Sequence, residues 1–264
     1  MPEAGVGEER GKGLAGALEK GDGAPTLTIA RFYLRGLPET AGSVFLEGEE
    51  HHHGRVLRLK RGEEALLLDG WGTVCRAVVA EVTPRRTRLE ILERRREEEE
   101  RPRFILYQST LPSSRMEEAL RRSVELGVWA FIPFLSRRSR PLPEPERMER
   151  WRRVALDASR VAGRAYLPRL EGPLTWEGLL ERLSSSRVVL LADERGGRRA
   201  GEVLGGDEVE VAIVVGPEGG FQEMERRRLR EVGAVSVTLG RYNLRAESAG
   251  AVMLAAARAR FGLL

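Results

Sequence analysis

A glycine-rich segment follows one of the most apolar runs of the chain. Residues 209–215 have the composition of a buried strand, and Gly216-Pro217-Glu218-Gly219-Gly220 comes directly after them, ahead of a helical pattern. Glycines let a ligand approach the backbone closely, and the first turn of a following helix offers free N–H groups. The segment predicts either a ligand-binding loop or simply a tight turn. Its spacing differs from the G-x-G-x-x-G dinucleotide fingerprint, which disfavours an NAD-binding Rossmann site.

A second candidate segment, residues 239–249, joins the last predicted strand to the last predicted helix. Glu247 falls in the first turn of that helix, where the helix dipole favours a carboxylate, and Arg245 lies two residues before it. Glu247 could accept a proton or serve only as a helix-start residue. Arg245 could orient a phosphate or base oxygens through paired N–H groups, or be solvated.

The two segments, in this order near the C-terminus, resemble those of the SPOUT-class S-adenosylmethionine-dependent RNA methyltransferases. More narrowly, they resemble the bacterial family that methylates N3 of a uridine in 16S small-subunit ribosomal RNA. That family's pattern is a strand, GPEGG, a helix, a strand ending in Leu-Gly, and then LR-x-E-T-A, with Ser248 here in place of the threonine. Shorter motifs extend the resemblance from about Arg31 to the end: Arg31-Phe32-Tyr33, residues 51–57, Asp69-Gly70, Glu125-Leu126-Gly127, Arg137 with Ser139, and Gly163-Arg164 followed by Pro168.

The resemblance implies an α/β protein with two domains: a small PUA-like, RNA-binding β-barrel, and a C-terminal SPOUT methyltransferase domain with a parallel sheet and a deep trefoil knot. It also implies a homodimer that binds S-adenosylmethionine in the knot, completes the site from both subunits and acts on 16S ribosomal RNA or the small ribosomal subunit. The implied donor-binding residues are Leu191, Gly216, Glu218, Gly219, Gly220, Leu239, Gly240 and Leu244. The catalytic candidates are Arg164, Arg245 and Glu247, and the RNA-binding candidates are Arg31, Arg55, Arg58 and Arg137.

The chemistry of such a site can be stated in advance. Uracil N3 carries a proton and is a poor nucleophile until that proton leaves, so the site needs a proton acceptor or groups that stabilise the anion. The sulfonium charge of the donor is consumed on transfer, which makes in-line positioning the main remaining task.

Two departures from the family pattern leave other functions open. Residues 111–115 read Leu-Pro-Ser-Ser-Arg where a Lys-Gly pair is usual, and Val161 stands where a glutamine is usual. Both segments could touch RNA, so a non-catalytic RNA-binding or ribosome-assembly factor and a SPOUT methyltransferase with another RNA target remain alternatives. An α/β enzyme for a small phosphorylated ligand is a third, supported only by the glycine-rich segment.

Alternating strand and helix patterns in the C-terminal part must position these residues. The alternation predicts a parallel sheet covered by helices on both faces, and ligands bind at the carboxyl ends of strands in such sheets. The predicted strands span residues 104–107, 128–135, 187–192, 209–215 and 235–239, and the predicted helices span 116–126, 146–158, 221–232 and 247–261.

The N-terminal part shows short β signals and one helix. Strands at 32–34, 44–46, 66–68, 73–82 and 87–92, with the turn dipeptide Asp69-Gly70, predict a small barrel-like domain. A helix over 49–59 should turn Val56, Leu57 and Leu59 inward. The three consecutive histidines 51–53 on it point about 100° apart, so they cannot converge on one metal ion. We therefore expect no metal site.

The charge run at 94–103 marks a solvated linker, a domain boundary or a helix end. The expected division is a disordered or loosely attached extension at 1–30, the barrel domain at 31–98 and the methyltransferase domain at 99–264. No apolar run approaches the roughly 20 residues of a membrane span, and residues 1–13 lack the pattern of a signal peptide.

Composition narrows the class further. One cysteine among 264 residues excludes an internal disulfide and favours a reducing, cytoplasmic compartment. Residues 101–264 carry 28 basic and 21 acidic side chains, an excess of seven, whereas residues 31–100 carry 13 and 14. The positive excess is almost all arginine and suits a polyanion, although GC-rich coding bias would produce the same usage. With no lysine after Lys60, that region has no Walker A loop or Schiff base.

Overall fold

The structure, a computed structural model, describes residues 29–39, 42–141 and 143–264. The extension expected at 1–30 lies almost wholly outside these residues. The described chain forms two sheets. The first five strands form one sheet, and the six strands that follow form the other.

The five-stranded sheet has the order β1-β3-β4-β5-β2, with β1 parallel to β3 and the other neighbours antiparallel. One face packs around Phe32, Leu67 and Leu89, and the short strands predicted here are confirmed. Its elements are β1 (Ala30–Tyr33), β2 (Ser43–Leu46), α1 (Gly48–Val56), β3 (Glu64–Leu68), β4 (Thr73–Val82) and β5 (Thr87–Arg96).

Helix α1 buries a different face from the one predicted. Val56 is 65% exposed and Leu57 48% exposed, so the expectation that they face inward was wrong. The helix instead buries His51 and Gly54, because His51 Nδ1 lies 3.0 Å from Thr87 Oγ1 and its Nε2 lies 3.2 Å from the carbonyl of Pro84. A histidine with both ring nitrogens satisfied can replace an apolar side chain in the interior.

The linker within the charge run is shorter than the sequence suggested. Its first three arginines extend β5 to Arg96, and only residues 97–102 connect the two sheets. Glu99 in this connection is half-buried: it accepts hydrogen bonds from Arg103 Nε at 3.0 Å and from Trp129 Nε1 at 2.8 Å. The connection is therefore anchored to the second sheet rather than solvated throughout.

The six-stranded sheet is parallel throughout, in the order β11-β9-β10-β6-β7-β8. Its strands are β6 (Arg103–Ser109), β7 (Ala130–Phe134), β8 (Arg169–Leu170), β9 (Val189–Ala192), β10 (Glu210–Val215) and β11 (Ala234–Val237). Its helices are α2 (Ser113–Glu125), α3 (Pro145–Ala162), α4 (Trp176–Ser184), α5 (Ala200–Val203), α6 (Glu223–Glu231) and α7 (Ala246–Arg260). None of these described helices is long and apolar enough to cross a membrane.

Helices cover both faces of this sheet, as predicted. Successive residues of β10 alternate between two cores, because side chains of a strand point to opposite faces. Ile213 packs with α2, α3, α5 and α7, whereas Val214 packs with α4 and α6. The short helices α4 and α5 and the strand β8 were not predicted.

The two sheets meet along a continuous seam. Tyr33, Leu68 and Val74 of the first sheet pack with Ala165 of the second in one buried cluster. Tyr33 Oη donates to the carbonyl of Arg164 at 2.6 Å, and Glu50 forms a nearly buried ion pair with Arg160. Burial raises the pKa of Tyr33 to about 12. The seam thus combines apolar packing with hydrogen bonds and an ion pair, although Nε of Arg31 and of Arg160 is buried there without a partner.

Candidate active site

A pocket opens at the carboxyl ends of three adjacent strands, β9, β10 and β11. Its volume is about 590 Å³, within the range of sites for small molecules and cofactors. Three loops after these strands form most of its wall, and they come from residues 192–194, 215–221 and 238–249. The two segments that the sequence singled out therefore face one cavity.

The glycine-rich loop after β10 is both a tight turn and a wall of the pocket. The N–H of Gly220 donates to the carbonyl of Pro217 at 2.9 Å, and Gly220 has φ +66°. A Cβ on Gly220 would lie 2.8 Å from Glu194 Oε1, and one on Gly216 would lie 2.9 Å from the ring of Phe221. Larger residues at either position would press into the neighbouring wall. The segment is thus a tight turn, and it also lines a pocket.

Buried charges on the far side of the loop fix the pocket floor. Arg226 on α6 pairs with Asp193, and its Nη2 lies 2.5 Å from Glu194 Oε1. Asp193 also accepts hydrogen bonds from the N–H of Arg195 and from Ser236 Oγ, at 3.1 and 2.9 Å. Burial acts to raise the pKa of Asp193, but these hydrogen bonds and Arg226 outweigh it and hold the pKa below its ordinary value. The sequence reasoning missed this cluster.

Glu247 is the one predicted catalytic residue that is buried in the pocket wall. It is 4% exposed in the first turn of α7, and its Oε2 has no hydrogen-bond partner. Its Oε1 lies 4.0 Å from Arg115 Nε and from Arg245 Nη1. A buried carboxylate oxygen without a partner is costly, so a ligand N–H or O–H group would satisfy it.

Arginines line the mouth of the pocket. Arg245 is exposed at the N-cap of α7, and Arg115 at the start of α2 pairs with Glu218 on the glycine-rich loop. Arg138 Nη1 donates to the carbonyl of Gly219 at 2.8 Å. The stretch that departs from the family pattern, residues 111–115, thus supplies a cation to this mouth.

Of the remaining donor-site candidates, three line the pocket and one does not. Leu239, Gly240 and Leu244 line the pocket beside Glu218 and the glycines. Leu191 does not, because its side chain points from β9 into the core shared with α4 and α6, and the wall begins at the next residue, Ala192.

Arg164 lies away from this pocket, at the seam between the sheets. Its guanidinium donates to three backbone carbonyls, those of Val124 at 3.1 Å, Val128 at 2.7 Å and Tyr166 at 3.1 Å. Burial lowers the pKa of Arg164. Within one chain the structure does not bring Arg164 together with Arg245 and Glu247, and its Nε and Nη1 donors already have partners.

The RNA-binding candidates have two different environments. Arg31 also belongs to the seam, where its Nη1 donates to the carbonyls of Arg160 and Val161 at 3.2 and 3.3 Å. Arg55 and Arg58 are exposed near Lys60 and Arg61, and Arg137 is exposed beside Arg138 near the pocket mouth. No cluster of metal-ligating side chains occurs within the described ranges.

Comparison with known proteins identifies the family. A family model described as an RNA methyltransferase domain matches residues 98–258. The ribosomal RNA small subunit methyltransferase E of Mycobacterium tuberculosis is 32% identical over 234 residues, covering 85% of this chain and 89% of that protein. The chain belongs to this methyltransferase family. The family member from Aquifex aeolicus is 31% identical over 210 residues, covering 78% of this chain and 89% of its own length.

Solved structures of methyltransferases share the fold. The methyltransferase E of Neisseria gonorrhoeae, crystallised with S-adenosylmethionine, has 28% identity and a TM-score of 0.79, with 88% of this chain and 97% of that chain covered. A methyltransferase of Legionella pneumophila in complex with the same cofactor has 25% identity and a TM-score of 0.78, with 88% and 98% covered.

Proposed function

We propose that this chain transfers a methyl group from S-adenosylmethionine to N3 of a uridine in 16S small-subunit ribosomal RNA. The observation that carries the proposal is the single pocket formed by the glycine-rich loop and the start of α7, in a chain that belongs to the methyltransferase E family. The names of its relatives specify the ribosomal small subunit, and the crystallised relative from Neisseria gonorrhoeae binds S-adenosylmethionine. We place the reaction in the cytoplasm, with the ribosomal subunits.

The chemistry of the pocket fits the methyl donor. S-adenosylmethionine supplies a methyl group on a positively charged sulfur, together with hydroxyl and amino groups that donate hydrogen bonds. The wall offers carboxylate acceptors at Asp193, Glu194 and Glu247, and backbone that a ligand can approach closely at Gly216, Gly219 and Gly220. We assign donor binding to Asp193, Glu194 and these three glycines, and to Glu218, Leu239, Gly240 and Leu244, and keep Glu247 for the base.

Two side chains are proposed to act on the uracil ring of the substrate. Glu247 Oε2 is the proposed acceptor for the N3 proton, because it is buried, unpartnered and part of the pocket wall. Arg245, exposed at the mouth, is proposed to orient the uracil oxygens or a flanking phosphate. For Arg164 we propose a structural role, since its guanidinium donates to three carbonyls at the seam.

The finer features of the fold are also proposals. The loop between β9 and β10 pairs with β11 on both sides of Arg198, whose N–H donates to Ser236 at 3.1 Å and whose carbonyl accepts from Thr238 at 2.9 Å. Arg260 of α7 then donates to Gly205 of the same loop at 2.6 Å. These contacts support a chain that threads this loop as a trefoil knot. We further propose a PUA-like barrel at 31–98, a SPOUT domain at 99–264 and a homodimer that completes the site.

Isothermal calorimetry and methyl mapping test the function together. The chain should bind S-adenosylmethionine and not NAD. It should also add one methyl group to small-subunit RNA that was isolated from cells lacking this protein. Donor binding without transfer would favour the RNA-binding or assembly factor. Transfer to a different RNA would preserve the enzyme and exclude the 16S target.

A further inference from the structure

One exposed aromatic ring lies outside the donor pocket and outside the buried cluster at the seam. Of the four tryptophans, Trp71 alone is exposed, at 68%, whereas Trp151 is buried and the other two are half-buried. It lies in the turn of residues 69–72 that joins β3 to β4. Its indole is therefore open to a partner from solvent.

The turn holds the backbone of Trp71 in one place. Asp69 Oδ1 accepts hydrogen bonds from the N–H groups of Trp71 at 2.7 Å and Thr73 at 2.9 Å. The seam supplies two more: the N–H of Gly72 donates to Ala165 at 3.1 Å, and the carbonyl of Gly70 accepts from Leu167 at 3.0 Å. Both sheets fix the turn, so little conformational entropy is lost when the ring is covered.

Two glycines allow the turn to lie this close to the second sheet. Gly70 has φ +80° and a Cβ there would lie 2.8 Å from Leu167 Cδ1. Gly72 has φ +101° and a Cβ there would overlap the hydroxyl of Tyr166. Trp71, between them, carries the only side chain of the three positions.

An arginine lies on β5 next to the turn, where its charge also acts on the carboxylate of Asp69. Strand pairing places Arg96 opposite Thr73, and Arg96 forms no salt bridge within the described residues. Three of the four glutamates that follow are neutralised, Glu97 by Arg95, Glu99 by Arg103 and Glu100 by Arg258. The surface beside Trp71 thus offers a positive charge to a phosphate.

We propose that Trp71 is a stacking platform for an unpaired base of the RNA substrate, with Arg96 contacting a neighbouring phosphate. The proposal rests on the proposed function. A protein partner fits less well, because a stable protein interface covers about 800 Å² on each side around an apolar centre, whereas Trp71 is a single ring among charged residues. Every nucleobase has a flat face that an indole can stack against.

The location of the turn determines which kinetic constant it affects. Residues 165–167, which hold the turn, precede β8 and so lie at the amino edge of the six-stranded sheet, whereas the donor pocket lies at its carboxyl edge. The base on Trp71 is therefore not the methylated base of the same subunit's pocket. The platform strengthens RNA binding and leaves the chemical step unchanged.

Three variants of the full chain test the platform in steady-state methyl transfer to small ribosomal subunits. Trp71→Ala should raise KM for the RNA about tenfold, the equivalent of one lost base stack, with kcat and donor affinity unchanged. Trp71→Phe should restore most of the affinity. Phe45→Ala, which removes an exposed ring stacked with Arg86 at the opposite end of the sheet, should leave KM unchanged.

Three results would overturn the proposal: an unchanged KM in Trp71→Ala, an equal rise in Phe45→Ala, or a dimer that dissociates in Trp71→Ala by sedimentation. A separate measurement keeps it distinct from the proposed function. Single-stranded oligouridine should quench tryptophan fluorescence of the wild type, and much less that of Trp71→Phe, even if no methyl transfer occurs. Equal quenching in both chains would also count against the platform.

Discussion

At the scale of single residues, the pocket proposed for the donor depends on positions where a side chain is absent and on one carboxylate with an oxygen that lacks a hydrogen-bond partner. Gly219 lies at the mouth, where an added Cβ would be 3.3 Å from Arg138 Cδ. Glu247 lies in the wall with a free oxygen. We therefore expect substitution of Gly219 to affect donor binding and substitution of Glu247 to affect methyl transfer.

Gly219→Leu should abolish donor binding in calorimetry while the chain stays folded by circular dichroism. The leucine side chain would occupy the mouth between Arg138 and the cavity, where a ligand must approach the loop. Gly201→Leu is the matched control, since nothing lies within 4 Å of its Cβ position and it is not part of the pocket wall. Unchanged affinity in a folded Gly219→Leu chain would move the donor site elsewhere.

Glu247→Gln should lower kcat about a hundredfold and leave the donor dissociation constant within about threefold, because an amide cannot accept the N3 proton. Rapid-quench methyl transfer measures the first quantity and calorimetry the second. Glu118→Gln, an exposed partner of Arg122, serves as the control. If kcat is unchanged, Glu247 has only its role at the start of α7.

At the scale of elements, the seam segment around Arg164 shows how a motif residue can have a structural role. Arg164→Ala would remove three hydrogen bonds, to the carbonyls of Val124, Val128 and Tyr166, of which Val124 keeps the N–H of Gly127 as a donor. We expect a loss of about 3 kcal/mol in the free energy of unfolding, measured in urea. Arg152→Ala, which breaks an exposed pair with Glu149, should cost less than about 1 kcal/mol. Lost activity at full stability would restore the catalytic interpretation of Arg164.

The elements also show how far sequence reasoning extends. Long amphipathic helices such as α2 and α3, and the apolar strand β10, follow from periodicity and were predicted to within a few residues. Helix α4 was missed although Thr175 is a standard N-cap, with its Oγ1 accepting from the N–H of Gly178 at 3.1 Å. Its buried residues Leu179, Leu180 and Leu183 also have helical spacing, so both the cap and the apolar face of α4 were present in the sequence and were overlooked.

Some features of the candidate site were also predicted from the sequence, and others were not. Motif spacing predicted that residues 216–220 and 239–247 belong together, and both line one pocket. The Asp193–Arg226 cluster could not be predicted, because its members come from the loop after β9 and from α6 and meet only in the folded domain. The same limit applies to Arg31, whose charge suggested RNA but whose donors bind Arg160 and Val161.

At the scale of the whole molecule, the seam makes the two sheets a single cooperative unit. Apolar packing of Tyr33, Leu68 and Val74 against Ala165 would be exposed if either sheet unfolded first. Calorimetric unfolding of the chain should therefore give one transition whose van't Hoff and calorimetric enthalpies agree. Two resolved transitions would show that the sheets fold independently.

Buried tyrosines predict an alkaline limit to stability. Burial raises the pKa of both Tyr33 and Tyr107 to about 12, above the ordinary value of 10. Since the unfolded chain releases these protons first, their contribution is complete below pH 10 and is lost as the pH rises through 12. The fall in unfolding free energy across this window should be smaller in Tyr33→Phe by about 3 kcal/mol. An equal fall in both chains would contradict the buried hydroxyl at the seam.

The strand order has a consequence for the newly made chain. Strand β6 is central in the sheet, yet one of its two neighbours is β10, so that Arg103 pairs with Glu210 far along the sequence. While the ribosome is still synthesising the intervening residues, β6 presents an apolar strand with one open edge, a template for pairing with other chains. We infer that the nascent protein needs chaperone protection until β10 has emerged, and that slow translation between these two strands lowers its soluble yield.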